Sequence, residues 1–214
     1  MVRILSAALL LAAVSASAAI EIPSFELSVA NVHAALAASR AERVKLKAGN
    51  LGPQINNLAW QLDSSERDLS RLRNDLNWLL QRMRRYQQPQ PGRPGQPSDP
   101  SLRWDVERFT RDLAQLTRDA QWRLMDLRNL SAQAEKDEAL VAPASRLADA
   151  ARRLKSESNW FSSDARFAGF DFRRAGFNFE AMDVDRDSRD LDWRAQDLQS
   201  GADQLLAKVK PLLP

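Results

Sequence analysis

The sequence predicts an all-α fold, an antiparallel bundle of four to five long helices with heptad seams. Apolar residues recur at alternating spacings of three and four along most of the chain, which places them on one stripe of a helix. The 214 residues include 7 glycines, and several of the 10 prolines gather in one segment, so long elements are expected. A short Phe-Asp-Phe alternation near residue 171 could form a strand, but the sequence offers it no partner strand.

The N-terminal segment, residues 1–18, is a predicted signal peptide. Arg3 precedes an apolar run over residues 4–14, and the small residues at 16–18 have the spacing of a cleavage site. The run is shorter than the ~20 residues of a membrane-spanning helix. The chain has no cysteine, which excludes lipid attachment through cysteine and disulfide bonds. We therefore expect an exported protein, periplasmic or secreted, whose residues 19–214 form a single helical-bundle domain.

The first two predicted helices precede a Pro/Gly-rich linker at residues 88–100. An alanine-rich stripe over residues 27–48 is expected to end at the sequence GNLGP, residues 49–53. A leucine stripe follows, and Ser65 alone interrupts it. Its members are Ile55, Leu58, Leu62, Ser65, Leu69, Leu72, Leu76, Leu79, Met83 and Tyr86. The linker prolines lack a backbone donor and its glycines favour turns, so a break in the helix is expected there.

The remaining helices follow the linker. The next stripe comprises Leu102, Val106, Phe109, Leu113, Leu116, Ala120, Leu124 and Leu127. Its helix is expected to end at Pro143. Another stripe comprises Leu147, Ala151, Leu154, Ser158, Phe161, Ala165, Ala168, Phe172, Ala175, Phe179 and Met182. Gly169 and Gly176 each cost a helix ~1 kcal/mol, so a kink or break is expected at them. A final stripe from Leu191 is out of phase with this one, which predicts a turn near residues 183–188.

An internal repeat relates two segments of the chain, residues 60–80 and 104–124. They align without gaps and match both tryptophans, Trp60 with Trp104 and Trp78 with Trp122, as well as the sequence Arg-Asp-Leu. Shared heptads alone would match leucines but not tryptophans. We therefore interpret these two segments as a duplication.

Tryptophan and arginine define the candidate binding surface. The two tryptophans of each repeat are 18 residues apart, which is five helical turns, and they lie opposite the apolar seam. The predicted surface comprises Trp60, Arg67, Arg71, Trp78, Trp104, Arg108, Arg111, Arg118 and Trp122. In one interpretation the tryptophans pack in a second layer or against arginines. In the other they are exposed for binding. Packing is favoured for most of the six tryptophans, and the same alternatives apply to the off-seam Phe167, Phe170 and Phe177.

No catalytic or cofactor site is predicted, so the chain is expected not to be an enzyme. His33 is the only histidine, which excludes a triad or a multi-histidine metal site. A bundle haem held by His33 with Met83 or Met125 is a minor alternative. The Asp-rich sequence DVDRDS at residues 183–188 starts like a calcium loop but lacks its glycine and its final glutamate. Acidic residues at a helix start are the favoured interpretation.

The charge pattern argues against a nucleic-acid partner. The formal net charge is +3, with 31 basic and 28 acidic residues, so the charges nearly balance. Charge is nevertheless uneven locally. Residues 79–93 hold four arginines and no acid, whereas residues 183–192 hold five aspartates against two arginines. The molecule is therefore expected to be electrostatically polarised.

The leading functional hypothesis is that this chain is a non-catalytic binding or scaffold protein of the cell envelope. Its expected partner is a protein or peptide, which could be a second copy of the chain itself. Contact with a membrane surface has no motif to support it. Residues 116–121, Leu-Thr-Arg-Asp-Ala-Gln, resemble the LTxxQ motif of the Spy/CpxP-like periplasmic chaperones, with the glutamine one position later. This six-residue resemblance implies a holdase-type chaperone as the alternative. A cofactor- or metal-binding bundle is the third hypothesis.

Overall fold

Four helices make up the described part of the protein. The computed structural model describes residues 22–87 and 100–210, with side chains over residues 50–85 and 101–210. The helices are α1 (Ile22–Gln87), α2 (Pro100–Gln133), α3 (Glu138–Arg174) and α4 (Asn178–Val209). The predicted all-α bundle is confirmed. The predicted signal peptide and residues 88–99 of the predicted linker lie outside the described residues, as do the side chains of the alanine-rich stripe.

The expected helix end at residues 49–53 is wrong, because α1 continues through Pro53. A proline inside a helix removes one backbone hydrogen bond, and here that loss does not end the helix. By compactness the chain divides into two units, residues 1–47 and 48–214. The four-helix bundle belongs to the second unit, and of the first unit the structure describes the helical backbone from Ile22.

The boundary between α2 and α3 precedes the expected stop at Pro143. Helix α2 ends at Gln133, and Asp137 caps α3 by accepting a hydrogen bond from the Ala139 amide at 2.9 Å. Aspartate is favoured at this position because its carboxylate satisfies a free amide at the helix start. Pro143 lies in the second turn of α3. The new helix therefore begins at the capping residue Asp137, and Pro143 does not mark a helix boundary.

The turn between α3 and α4 lies at residues 175–177, not near residues 183–188 as the seam phase predicts. Gly176 has a φ of 91°, the left-handed conformation that glycine adopts without a Cβ clash. The Phe177 amide donates to the Phe172 carbonyl at 2.9 Å, and the Gly176 amide donates to the Arg173 carbonyl at 3.0 Å. These two bonds form a Schellman motif, whose apolar closing residue, Phe177, is buried.

This turn changes which residues face the core. Phe177, expected off the seam, is buried, whereas Phe179 and Met182, expected on the seam, are exposed. Ala181 and Val184 take their place in the core. The seam prediction fails here because the left-handed residue rotates the chain and resets the helical phase.

Polar contacts between helices establish their order around the bundle. Helix α1 lies beside α3 and runs parallel to it, as does α2 beside α4. The contacts from α1 to α3 include Asp63 to Arg153 at 2.7 Å, Arg73 to Asp164 at 2.7 Å and Arg84 to Asp171 at 2.8 Å. Those from α2 to α4 are Thr117 to the Asp187 carbonyl at 3.3 Å and the Ser131 carbonyl to Lys208 at 2.6 Å. The antiparallel hairpins α1–α2 and α3–α4 therefore pack side by side.

The predicted seams form the core. Every side chain of the first leucine stripe up to Met83 is buried, and so are those of the second stripe except Leu124, which is partly buried. The Phe109 ring of α2 lies 6.4 Å from Phe161 and 6.5 Å from Phe172 of α3, measured between ring centroids. These aromatic contacts connect diagonally opposite helices through the centre of the bundle.

A polar layer interrupts this apolar core near its middle, and each helix contributes one buried hydroxyl. The four residues are Ser65, Thr117, Ser158 and Ser188. Thr117, Ser158 and Ser188 each donate to a backbone carbonyl of their own helix. Ser65 Oγ is fully buried and has no hydrogen-bond partner among the described residues. The single break in the predicted leucine stripe is therefore part of a layer that spans all four helices.

Candidate functional site

All six tryptophans are exposed. Their relative accessibility ranges from 50% at Trp78 to 72% at Trp193. Of the favoured interpretation, packing in a second layer is therefore wrong within one chain, whereas packing against an arginine side chain is seen at Trp78 and Trp104. Among the described residues, the leucine, alanine and phenylalanine seams fill the space between the four helices, so none of these residues is left to form a second layer over the outward faces.

The nine residues of the predicted binding surface are all exposed on the outer faces of α1 and α2. The repeat has the same pattern in both copies. Trp60 and Trp104 are exposed, Leu69 and Leu113 are buried, and each copy ends in an exposed tryptophan. The helical spacing thus places the candidate residues where the sequence predicts. We call these nine residues the Trp/Arg surface.

Arginines contact two of these tryptophans. The Arg108 guanidinium lies 5.9 Å from the centroid of Trp104, and the Arg82 guanidinium lies 4.9 Å from that of Trp78. Arg82 also contacts Asp105 and Ser101, so it connects α1 to α2 at the level of both tryptophans. Such cation-π contacts orient an indole ring while leaving its other face free. Arg82, which lies about one turn after Trp78 on α1, therefore organises one end of the surface.

The register of α1 and α2 places the tryptophans in two groups. Because Arg82 contacts Asp105, Trp78 and Trp104 lie at the same end of the hairpin. Trp60 and Trp122 lie about five turns away from these, towards the other end. The long Trp/Arg surface therefore has an indole on each helix near both of its ends.

Three arginines of the surface, Arg71, Arg108 and Arg118, make only weak polar contacts with their own helices. Arg71 lies 3.6 Å from Asp68, and Arg108 lies 3.7 Å from Asp112, in both cases on the same helix. Ion pairs this exposed contribute little to stability. Arg118 donates to the Gln115 side chain at 2.9 Å. These guanidinium groups can exchange their present partners for those of a ligand at small cost.

Helices α3 and α4 carry a second set of exposed apolar side chains. Its members are Trp160, Phe167, Phe170, Phe179, Met182 and Trp193. The heptad phase predicts Phe167 and Phe170 as off-seam residues, but not Phe179 and Met182. The sequence does contain a feature from which the exposure of Phe179 and Met182 could have been predicted. Gly176 permits the left-handed turn that shifts the seam to other residues. We call these six residues the α3–α4 aromatic face.

The Asp-rich segment at residues 183–188 is helical, so it cannot wrap around a cation as a calcium loop does. Its carboxylates pair with neighbouring arginines: Asp183 with Arg186 at 3.1 Å, Asp187 with Arg186 at 2.9 Å, and Asp185 with Arg189. The Asp187 hydrogen bond is the main cause of the raised pKa of Arg186. Within the described ranges no three His, Cys, Asp or Glu side chains form a cluster suited to a metal ion.

The residues of the haem alternative are not brought together by a described contact. Met83 is fully buried in the core, whereas Met125 is exposed. The His33 side chain lies outside the described residues. A shallow groove of about 510 Å³ runs between α2 and α4 over Leu127 and Gly201. A Cβ at Gly201 would lie 2.9 Å from a Leu127 methyl carbon, so this glycine permits close packing of the two helices.

Two arginines near the polar layer are only partly satisfied. Arg123 Nη1 and Arg194 Nε are buried and have no hydrogen-bond partner among the described residues. Burial lowers the pKa of Arg123, and attraction to Asp119 and Asp68 opposes that change only in part. A guanidinium with an unpaired buried nitrogen destabilises the fold. These two residues are therefore candidates for stability effects, and nothing at them points to chemistry.

Among the described helices, none has an apolar stretch long enough to cross a bilayer. Comparison of the chain with protein-family models, with curated proteins and with solved structures gave no match.

Proposed function

We propose that this chain is a non-catalytic binding or scaffold protein, exported to the cell envelope, that engages a protein or peptide partner through the Trp/Arg surface of α1 and α2. The exposure of all nine predicted residues carries this proposal. Tryptophan and arginine are the side chains most enriched where protein interfaces gain their binding energy. A monomer that exposes four tryptophans along one hairpin has the composition of such an interface before its partner arrives.

The proposed mechanism of binding is insertion of a partner between indole rings and guanidinium groups. Indoles supply apolar area at low entropic cost because they have two rotatable bonds. The arginines hydrogen-bond carboxylates or backbone carbonyls of the partner. Since Arg71 and Arg108 make only exposed pairs with their own helices, the partner has little to displace. An extended acidic and aromatic peptide or a second copy of this hairpin would satisfy these groups.

The test combines solution mass with peptide selection. The mass of the purified protein is measured over a range of concentrations, and a random peptide library is selected on the immobilised protein. We expect either concentration-dependent self-association or enriched peptides that bind saturably. Either form of binding should weaken about tenfold in the double variant Arg67→Gln/Arg71→Gln. The matched control is Arg128→Gln/Arg146→Gln, which removes the same charge from exposed positions elsewhere. Binding that is absent, or equal in both variants, contradicts the proposal.

A holdase-type chaperone is the second candidate function. The observation that favours it is the exposure of large apolar side chains on all four helices, which suits weak contact with many unfolded chains. Suppression of the aggregation of reduced insulin distinguishes the two. A holdase should suppress aggregation near stoichiometric amounts and lose this activity gradually as tryptophans on different helices are replaced. A specific binder should have no effect on aggregation.

Export is part of the proposal and has its own test. The protein is expressed in a bacterium, and the envelope and medium fractions are collected. N-terminal sequencing should find a chain that begins close to Ala19. A chain that retains Met1 in the cytoplasm would contradict export.

A further inference from the structure

The hairpin of α1 and α2 has an approximate internal twofold symmetry. The repeat places residues 60–80 on α1 and residues 104–124 on α2, and the two helices are antiparallel. Arg82 contacts Asp105, so the midpoints of the two repeats lie side by side to within about one turn. A twofold axis through these midpoints, perpendicular to the Trp/Arg surface, therefore exchanges one repeat with the other.

This twofold axis relates the same types of side chain on both helices. It exchanges Trp60 with Trp104 and Trp78 with Trp122, all of which are exposed. The charged residues that it exchanges are Arg67 with Arg111, Asp68 with Asp112, and Asp75 with Asp119. The surface therefore consists of two equivalent halves, each of which carries two indoles, an arginine and two aspartates.

Aspartates line the junction of α1 and α2 on this surface. Asp68 and Asp75 lie on one line of α1 because seven residues make about two helical turns, and Asp112 and Asp119 lie on one line of α2. Arg123 of α2 is attracted electrostatically to both Asp119 and Asp68, which places the two lines beside the junction. Rows of aspartate therefore accompany the exposed arginines.

The hairpin is nearly neutral as a whole. Residues 60–85 and 104–126 hold ten arginines and nine acidic residues. Part of the surface would repel a partner whose charges all have one sign. The surface therefore suits a partner that carries charges of both signs in alternation, and this hairpin is itself such a partner.

Charged groups of both signs are unpaired on the surface. The side chains of Arg67 and Asp75 are exposed and make no hydrogen bond or ion pair with another described residue. Their counterparts in the second repeat hydrogen-bond only to uncharged groups. Arg111 donates to a backbone carbonyl at 3.2 Å, and Asp119 accepts from a side-chain amide at 2.8 Å. Two arginines and two aspartates are therefore available to a partner, and the twofold axis relates them.

These groups match when two copies of the hairpin face each other about the same centre. If α1 of one copy lies opposite α2 of the other, Arg67 is level with Asp119 of the second copy to within about one turn. If α1 lies opposite α1, Arg67 is level with Asp75 of the second copy to the same extent. Arg111 has the corresponding partners because of the twofold symmetry. In both arrangements the ends that carry tryptophans meet each other.

The surface is large enough for a stable dimer. It is about 35 Å long from Trp60 to the level of Trp104, and the two helices make it about 20 Å wide. Its area is therefore about 700 Å², close to the ~800 Å² that each partner buries in a typical stable complex.

We propose that the partner of the Trp/Arg surface is a second copy of this chain, in a twofold dimer in which Arg67 and Arg111 of each copy face aspartates of the other. This dimer rests on the proposed function because it uses the same surface. The indoles supply the apolar area of the interface, and the alternating charges fix the alignment of the two copies.

Sedimentation velocity of the full chain over a range of concentrations measures dimer formation. The variants Arg67→Glu/Arg111→Glu and Asp75→Arg/Asp119→Arg each place like charges opposite each other in their own dimers. Each variant alone should dimerise at least about 30-fold more weakly than the unaltered chain. An equimolar mixture of the two variants should restore the dimer, because the contacts between them again join opposite charges.

A second pair of variants does not depend on charge reversal. Trp60→Gln and Trp104→Gln should each weaken the dimer about tenfold, and by the same factor, because the twofold axis exchanges them. The controls are Trp193→Gln, which removes an exposed indole from α4, and Arg128→Glu/Arg146→Glu, which reverses two exposed charges elsewhere. Both controls should dimerise like the unaltered chain. Circular dichroism checks that each variant is folded, and the tryptophan pair decides if a charge variant is not.

Failure of the dimer is distinguishable from failure of the proposed function. A chain that stays monomeric at all concentrations, but still binds selected peptides that Arg67→Gln/Arg71→Gln weakens, refutes the dimer and leaves the proposed function standing. A chain that neither dimerises nor binds peptides refutes both. Association that the Trp60 and Trp104 variants leave unchanged, or that mixing folded charge variants does not restore, also overturns the dimer, because another surface then joins the copies.

Discussion

Replacement of Ser65 by alanine should stabilise the protein. Ser65 Oγ is fully buried and has no hydrogen-bond partner among the described residues. A buried hydroxyl without a partner costs about 1–3 kcal/mol. Alanine removes that hydroxyl and also favours the helix by a few tenths of a kcal/mol, about 0.5. The lost packing of one oxygen atom offsets part of this gain, so the expected net increase in the free energy of unfolding is about 1.5 kcal/mol.

Thermal and urea unfolding followed by circular dichroism measure this change. For a unit of this size, about 1.5 kcal/mol corresponds to a rise in Tm of about 3–6 °C. The matched control is Ser158→Ala, at the equivalent level of α3. The Ser158 hydroxyl lies 2.9 Å from both the Lys155 carbonyl and the Asp192 carboxylate. Its removal should lower the free energy of unfolding by about 1 kcal/mol.

The opposite sign of the two alanine variants is the decisive result. If Ser65→Ala is as destabilising as Ser158→Ala, the Ser65 hydroxyl is satisfied, and the argument from its burial is refuted. Equal and negligible effects would mean that the polar layer does not contribute to stability in either direction.

Three further predictions concern the turn, the core and the tryptophans. Gly176→Ala should lower the free energy of unfolding by about 1–2 kcal/mol because residue 176 has a positive φ. Gly169→Ala should raise the free energy of unfolding by about 0.5–1 kcal/mol, because the added Cβ would meet no atom within 4 Å. Urea midpoints of both variants check this, and an equal shift in both would contradict it. Phe109→Ala should cost about 3–5 kcal/mol because the ring packs on Phe161 and Phe172, and a cost below about 1 kcal/mol would exclude these core contacts. Tryptophan emission should be red-shifted and strongly quenched by acrylamide in a monomer, since all six indoles are exposed. Blue-shifted, protected emission would instead mean that a self-interface covers them.

The outward position of the nine candidate residues could be predicted because α1 and α2 are uninterrupted where these residues lie. Over residues 55–83, one helical phase applies throughout, so a tryptophan opposite the leucine stripe must face outward. Whether an outward side chain is covered could not be predicted in the same way. That depends on how many helices the core accommodates, and four seams of leucine, alanine and phenylalanine close around one another without a second layer.

The α3–α4 face was harder to predict because its phase changes at one residue. Phe179 and Met182 continue the stripe of α3 in sequence, but they belong to α4 in space. The low helix propensity of glycine predicts that a helix is less stable at Gly176, but it does not distinguish a kink from a complete turn. The Schellman closure and the burial of Phe177 decide for the turn, and they depend on packing against the rest of the core.

Three properties of this protein could be predicted from helical periodicity, which is local: the chain is helical, certain side chains form the seams of its unbroken helices, and its tryptophans lie opposite those seams. Three others were known only once the helices were placed together. They are the parallel arrangement of α1 and α3, the polar layer shared by four helices and the position of the α3–α4 turn. The first two depend on contacts between residues far apart in the chain, such as Asp63 with Arg153, and the turn depends on the burial of Phe177 in the core. Local periodicity carries no information about either.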